Sequence, residues 1–179
     1  MSRLVGTGIN GIDEAGVEYK RLLTRSVEMS ELGYAAENGR AFSWYSGRRD
    51  IDATDTMIFV KNLNDKVLHI DRIIINGSNV ICNWEIATGS ATTTPSGTAV
   101  VGTNLHTGHA NNANVLAYYD ETAVAQGSII MDAWTPITNW IQIIEAPGIH
   151  LATNSYIQVD QVTESTSGSV IIIGHYNDA

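Results

Sequence analysis

The 179-residue sequence predicts an all-β chain made of two packed antiparallel sheets, with a short helix and a glycine-rich arm confined to its first forty residues. Three observations predict this. After Arg40, short runs rich in Val, Ile, Thr and aromatic residues alternate with clusters of Gly, Asn, Asp and Ser, the composition of strands and turns. Ten such runs follow one another without an interleaved helical period, so nothing is present to carry the crossovers of a parallel sheet. In the clearest run, Asn79 to Ala87, the residues Val80, Cys82, Trp84 and Ile86 point one way while Asn83 and Glu85 point the other. That period of two belongs to a strand with one face on a core and one in water.

Taken in order, the elements begin with Met1 to Gly16, which is glycine-rich and lacks a sustained apolar period. It reads as an extended arm that orders against a neighbour, and residues 1–20 are assigned to the arm and 21–179 to the sandwich. Between Val17 and Asn38 the pattern is ambiguous, because Leu23, Val27 and Tyr34 share a helical face while Arg21 to Val27 also alternates. We read a strand near Arg21 to Val27 and a helix near Ser30 to Glu37, stopped by Gly39. The further strands are Ala41 to Tyr45, Thr56 to Lys61, Val67 to Asn76, Thr98 to Leu105, Asn114 to Tyr119, Ser128 to Ala133, Asn139 to Glu145, Tyr156 to Thr163 and Ser169 to Tyr176. Asn76-Gly77 has the chemistry of a tight hairpin turn with positive φ, and Pro147-Gly148 marks another turn. Gly89 to Gly97 is polar and turn-rich, which predicts an exposed loop offering Thr93 and Pro95 to a partner.

Composition bounds the function. With 44% hydrophobic and 16% charged residues, the chain is too apolar for disorder and too interrupted for a membrane span. Ten basic residues against 19 acidic ones give a net charge of -9, which excludes a nucleic-acid partner, since phosphates need a positive field. Cys82 stands alone; one cysteine makes no intramolecular disulfide, Cys-based zinc site or iron–sulfur site, and its expected place is a buried strand position. Met1 to Gly11 lacks the apolar stretch of a secretory signal, so synthesis and retention in a cytoplasm until assembly or lysis are expected.

The candidate chemical motifs are weak. Gly6-x-Gly8-x-x-Gly11 spells the dinucleotide fingerprint, but that motif needs a strand before it and a helix after it to receive the pyrophosphate, and no βαβ pattern surrounds it; the three glycines are assigned to partner contact by the arm. His106-x-x-His109 on a strand or loop does not set both rings on one side as an i, i+4 helical pair does, and a polar loop is expected there. His69, His150 and His175 read as isolated strand or surface residues. Asp50-x-Asp52-x-x-Asp55 lacks the glycine and terminal Glu of a calcium loop and reads as a solvated acidic turn. No nucleophile elbow, phosphate-binding loop or Cys–His pairing is present, so neither an enzyme nor a cofactor is expected. Of the four tryptophans, Trp84 belongs to the core face. Trp134, beside Pro136, is the candidate for an exposed contact, against the alternative of a cap over the sandwich end. Asn76-Gly77-Ser78 matches a glycosylation acceptor only formally.

The order of features along residues 21–176 resembles a broad family of small virion proteins of tailed phages, described as head decoration, auxiliary capsid or head-fibre proteins. Three colinear stretches carry the resemblance: Arg21 to Ser30 with Ala35 to Phe42; Asp55 to Asn62 followed by Val67 to Ile75; and Gly97 to Leu105, Ala117 to Tyr119 and Gly127 to Ile130. The arm of Met1 to Gly16 does not align. The resemblance implies a sandwich of jelly-roll type, docking on the major capsid protein of a phage head as a symmetric oligomer (a trimer favoured), and no catalytic residues. The alternative is a carbohydrate- or receptor-binding module of a tail fibre or baseplate, using Trp134 and the Gly89 to Gly97 loop.

Overall fold

The computed structural model describes residues 30–50, 56–77, 81–136, 141–162 and 167–177, and the backbone of four short strands between residues 5 and 22. Val80, Trp140, Asp52, Asp55 and residues 23–27 of the expected early strand lie outside the described residues. The chain forms two units, Met1–Ser30 and Glu31–Ala179. In the first, β1 (Val5–Gly8) pairs antiparallel with β2 (Gly11–Glu14), Gly8 facing Gly11. A second pair joins β3 (Val17–Glu18) to β4 (Arg21–Leu22). The three glycines of the fingerprint thus sit on a hairpin, and a strand, not a helix, follows the last of them.

The second unit opens with α1 (Glu31–Glu37). Ser30 stands at the N-cap position and Glu31 in the first turn, where a hydroxyl and a negative charge suit the free N–H groups. Gly39, at φ 67°, ends the helix: its N–H reaches the Ala36 carbonyl at 2.9 Å and the Arg40 N–H reaches Ala35 at 2.8 Å, the left-handed stop expected of a C-terminal glycine.

Next come β5 (Ala41–Tyr45), β6 (Arg49–Asp50), β7 (Thr56–Asn62), β8 (Leu68–Asn76), β9 (Cys82–Ser90), β10 (Thr98–Ala99), β11 (Thr103–Asn104) and β12 (Val115–Tyr119). The last four are β13 (Ser128–Thr135), β14 (Ile141–Leu151), β15 (Ser155–Gln161) and β16 (Ser167–Tyr176). Eight strands, β5, β7, β8, β9, β13, β14, β15 and β16, form the body of two antiparallel sheets, β5-β16-β8-β14 and β7-β15-β9-β13. In chain order those are first-eighth-third-sixth and second-seventh-fourth-fifth, the double Greek key of a jelly roll. Further strands extend the sheets: β12 and β10 continue beyond β7, and β11 lies beyond β5.

Between the sheets lies one core containing Trp44, Met57, Ile58, Leu68, Ile70, Ile73, Trp84, Ile86, Ile157 and Ile172. Cys82, Trp84 and Ile86 are fully buried and Asn83 and Glu85 half-buried, as the alternation predicts. The buried Asn62 is satisfied on both sides: its amide donates to the Lys66 and Leu151 carbonyls and its oxygen accepts from the Tyr176 hydroxyl at 3.0 Å. A buried polar group keeps its place only when so paired.

Three local expectations fail, two because the chain crosses between sheets and one at a register break within a strand. Asn76-Gly77 is not a hairpin turn, because β8 and β9 belong to opposite sheets and Gly77 has no positive φ; a Cβ on Gly77 would fall 2.3 Å from Thr135 Oγ1, so the glycine serves close approach. The expected strand Thr98 to Leu105 is broken, β10 pairing with β12 in one sheet and β11 with β5 in the other. Pro147-Gly148 does not turn the chain; it sits in a register break inside β14, between Glu145 and Ile149. β14 is an edge strand, where a residue without N–H is tolerated at a bulge.

Gly97 has φ 93°, and a Cβ there would lie 2.4 Å from the carbonyl oxygens of Tyr119 and Asp120. Gly97→Ala is therefore expected to lower stability by about 1–3 kcal/mol through strain and overpacking. Gly148→Ala, with nothing within 4 Å of the new carbon, serves as the neutral control. Paired urea titrations measure both, and equal midpoints for the two variants would contradict the assignment.

Candidate interaction surface and a histidine network

Three strands of the β5-β16-β8-β14 sheet carry isoleucine at consecutive positions: Ile73 to Ile75, Ile171 to Ile173, and Ile143 with Ile144. A strand with one wet face alternates, so apolar residues at both parities mean that both faces are apolar. Ile73, Ile75 and Ile172 are fully buried and Ile144 nearly so. Their neighbours point outward. Register pairing sets Tyr45 opposite Ile171, Ile171 opposite Ile74, and Ile74 opposite Ile143, an unbroken row about 14 Å long across four strands. Tyr45 is 52% and Ile143 56% exposed, with Ile74 and Ile171 half-buried. Beside the row Ile141 is also exposed, and Arg72 pairs with Glu145 at 2.8 Å.

The predicted contact residues do not gather on this face. Trp134 is 61% exposed on β13, in the other sheet. Thr93 is exposed in the segment after β9, whereas Pro95 in the same segment is buried. Gly6, Gly8 and Gly11 lie on the β1-β2 hairpin.

The histidines that look isolated in sequence meet in space. Register places His69 of β8 between His150 of β14 and His175 of β16, with ring centroids 4.4 Å and 5.2 Å apart. Asp71 is the extra residue of a bulge in β8, skipped by both neighbouring ladders, and such a bulge re-aims a side chain. Its Oδ2 lies 2.7 Å from Nδ1 of His175, which is 2% exposed. Nε2 of His175 meets Asn177 Oδ1 at 2.9 Å, and Asn177 Nδ2 faces His69 Nε2 at 3.3 Å. Glu31 of α1 approaches His175 at 4.0 Å. All these contacts are satisfied together when His175 is an imidazolium donating from both nitrogens and His69 is neutral and accepting. The hydrogen bond to Asp71 raises the His175 pKa above its ordinary value against the opposing effect of burial. Burial, then the charges of His150 and His175, lower that of His69.

His106 and His109, expected to stand apart, touch edge to face at 4.5 Å in an exposed loop, because Gly108 N–H bonds to His106 Nδ1 and curls the loop back. Asp50 of the acidic turn is exposed in β6. Among the described residues no three His, Cys, Asp or Glu side chains are grouped so as to hold a metal ion, and no helix is long and apolar enough to cross a membrane.

No family model and no curated protein matches the sequence. Among solved structures, the chain is similar to one from the full particle of Israeli acute paralysis virus heated to 63 degrees, at 12% identity over 99% of this chain and 80% of that chain, with a TM-score of 0.29. It is also similar to chains of the native Kashmir bee virus virion, at 12% identity and TM-score 0.31 at neutral pH, covering 99% of this chain and 79% of that chain. The acidic-pH form gives 11% identity and TM-score 0.31, covering 99% and 82%. At such scores the jelly-roll assignment rests on this chain's own strand order.

Proposed function

We propose that the chain is a non-enzymatic structural protein of a tailed-phage particle, made in the host cytoplasm and decorating or cementing the head. It docks on the major capsid protein through the outer face of the β5-β16-β8-β14 sheet, as a symmetric oligomer, a trimer in our reading. The Tyr45–Ile171–Ile74–Ile143 row carries this reading. A contiguous apolar strip with a polar rim is the anatomy of a protein contact. The net charge of -9 suits a basic protein patch and opposes a nucleic acid. The tailed-phage assignment itself rests on the sequence pattern of residues 21–176.

The test is co-sedimentation of the purified chain with expanded heads that lack it. Binding and a raised thermal tolerance of the particle are expected, since a ligand selective for the assembled shell stabilises it by mass action. Ile143→Asp, at an exposed position that leaves the core intact, is expected to weaken binding about tenfold or more. Equal binding to free capsid monomers would overturn the reading.

One observation favours a second reading, a receptor- or carbohydrate-binding module: Trp134 presents its ring to solvent, as a sugar platform requires. A Trp134→Ala variant that abolishes adsorption to host cells while Ile143→Asp has no effect would favour it.

A further inference from the structure

Across the outer face of the other sheet, pairing aligns Glu121, Thr56, Asp160, Glu85 and Asp132 on five neighbouring segments. Four of the five are carboxylates, and like charges on adjacent strands repel. None of the ion pairs among the described residues includes them. The segment after β12 folds over this row, leaving a cavity of about 440 Å³ lined by Thr56, Glu85, Glu121, Gln126, Gln158 and Asp160.

Three buried groups here are half-satisfied, each with an acceptor left over. Glu121 Oε1 accepts from the Ala123, Val124 and Ser96 N–H groups at 2.7, 2.9 and 3.1 Å, and its Oε2 has no partner. Asp160 Oδ2 accepts from Gln158 Nε2 at 2.8 Å and Gln126 Nε2 at 3.0 Å, and its Oδ1 has none. Gln158 Oε1 is likewise unpartnered. Glu121 and Gln158 are 2% exposed and Asp160 7%. Buried acceptors without donors are costly, and the group that answers three of them is one with donors only.

The exposed Gln126 shows where it would sit. Its amide nitrogen bridges Glu85 Oε2 at 2.8 Å and Asp160 Oδ2 at 3.0 Å, the place a cationic N–H donor would take between two carboxylates. A bare metal ion fits poorly, because the acids are not grouped closely enough to ligate one. A guanidinium spreads five donors over a planar fork and reaches acceptors set several ångströms apart, and the cavity has the size of a small-ligand pocket rather than an ion site. We infer that this cavity receives an arginine side chain of a neighbouring shell protein, on the side of the sandwich opposite the Tyr45–Ile171–Ile74–Ile143 row, displacing the Gln126 amide. The inference rests on the reading that the chain docks on a protein shell. Burial, partly offset by hydrogen bonds from Gln158, Thr56 and Gln126, raises the Asp160 pKa, and a neighbouring cation would act in the opposite direction.

The probes are L-arginine amide, L-lysine amide and calcium chloride, each titrated into the full chain at matched ionic strength and read by NMR shifts and thermal melting. Saturable binding of arginine amide is expected, with lysine amide about tenfold weaker and calcium inert. Asp160→Asn should weaken arginine amide about tenfold, the loss of one charge-assisted hydrogen bond. Because that variant could fail to fold, Gln126→Arg supplies the guanidinium within the chain and is expected to raise the melting temperature and abolish arginine amide binding. Saturable calcium binding, no saturable binding of arginine amide, or a lowered melting temperature in Gln126→Arg would each overturn the inference. Particle binding separates the two claims. Asp160→Asn that loses arginine amide yet docks on heads normally overturns the arginine contact and leaves docking standing. Arginine amide binding by a chain that no head captures overturns the docking reading, and with it the arginine's source in the shell.

Discussion

Trp84→Ala is expected to destabilise the fold by about 3–5 kcal/mol, the cost of removing a large buried aromatic whose space cannot collapse. Trp84 is fully buried where the two sheets face each other. Its indole N–H donates to Thr135 Oγ1 at 3.0 Å, and Gly168 lies so close that a Cβ there would fall 2.4 Å from the ring. The ring thus fills space that a glycine was needed to provide. Against a total stability of about 5–15 kcal/mol for a typical domain, the loss places the variant near unfolding at ordinary temperature. Trp84→Phe keeps much of the volume but leaves the Thr135 hydroxyl without its donor, an additional cost of about 1–3 kcal/mol. Trp134→Ala, at an exposed ring, is expected to change stability by less than about 0.5 kcal/mol. Chemical denaturation of the three variants ranks them, and a Trp84→Ala protein as stable as Trp134→Ala would refute the packing described for the core.

The second large effect belongs to the Asp71–His175 pair. Asp71→Asn removes the carboxylate that faces a side chain only 2% exposed, and loss of a hydrogen bond to a charged group costs about 1.5–3 kcal/mol. The cost depends on pH in a direction fixed by the network. His175 has a raised folded-state pKa, so its contribution is fully present below the ordinary value of 6.5 and is lost as pH rises through the raised value. His69 has a lowered folded-state pKa. Below 6.5 the unfolded chain takes up its proton while the folded chain resists it, so stability falls as pH drops towards the lowered value. The network is therefore strongest near the ordinary histidine value and weaker on both sides. Unfolding free energies measured between about pH 5 and about pH 8 should show the penalty of Asp71→Asn shrinking at the alkaline end. His69→Gln should remove the network's part of the acid-side loss. A penalty for Asp71→Asn that grows with rising pH would contradict the assignment of His175 as the protonated partner.

Such a network was invisible along the chain for a simple reason. His69, His150 and His175 lie on strands that are far apart in sequence, and only the ladders of β8, β14 and β16 bring them level. The same holds for Glu121, Asp160, Glu85 and Asp132, whose row exists only once four strands and a bridge are in register. The apolar outer face did leave a signal, isoleucine at both parities in three strands, which reads as a second covered face and not simply as a hydrophobic strand. Its place beside Pro136 left Trp134 open to two readings, an exposed contact or a cap over the sandwich end, and only the structure shows the ring exposed.

What the sequence determined alone is what a strand's own residues can encode. The alternation of Cys82, Trp84 and Ile86 with Asn83 and Glu85, the stop at Gly39, the all-β class and the burial of Cys82 all follow from side-chain period and local backbone preference. Tertiary structure decided which strands are neighbours. Asn76-Gly77 became a crossing instead of a hairpin, Pro147-Gly148 a bulge instead of a turn, and Thr98 to Leu105 two strands in two sheets. The physical reason is that the pairing partner of a strand is fixed by the joint burial of two sheets, a property that no single segment carries.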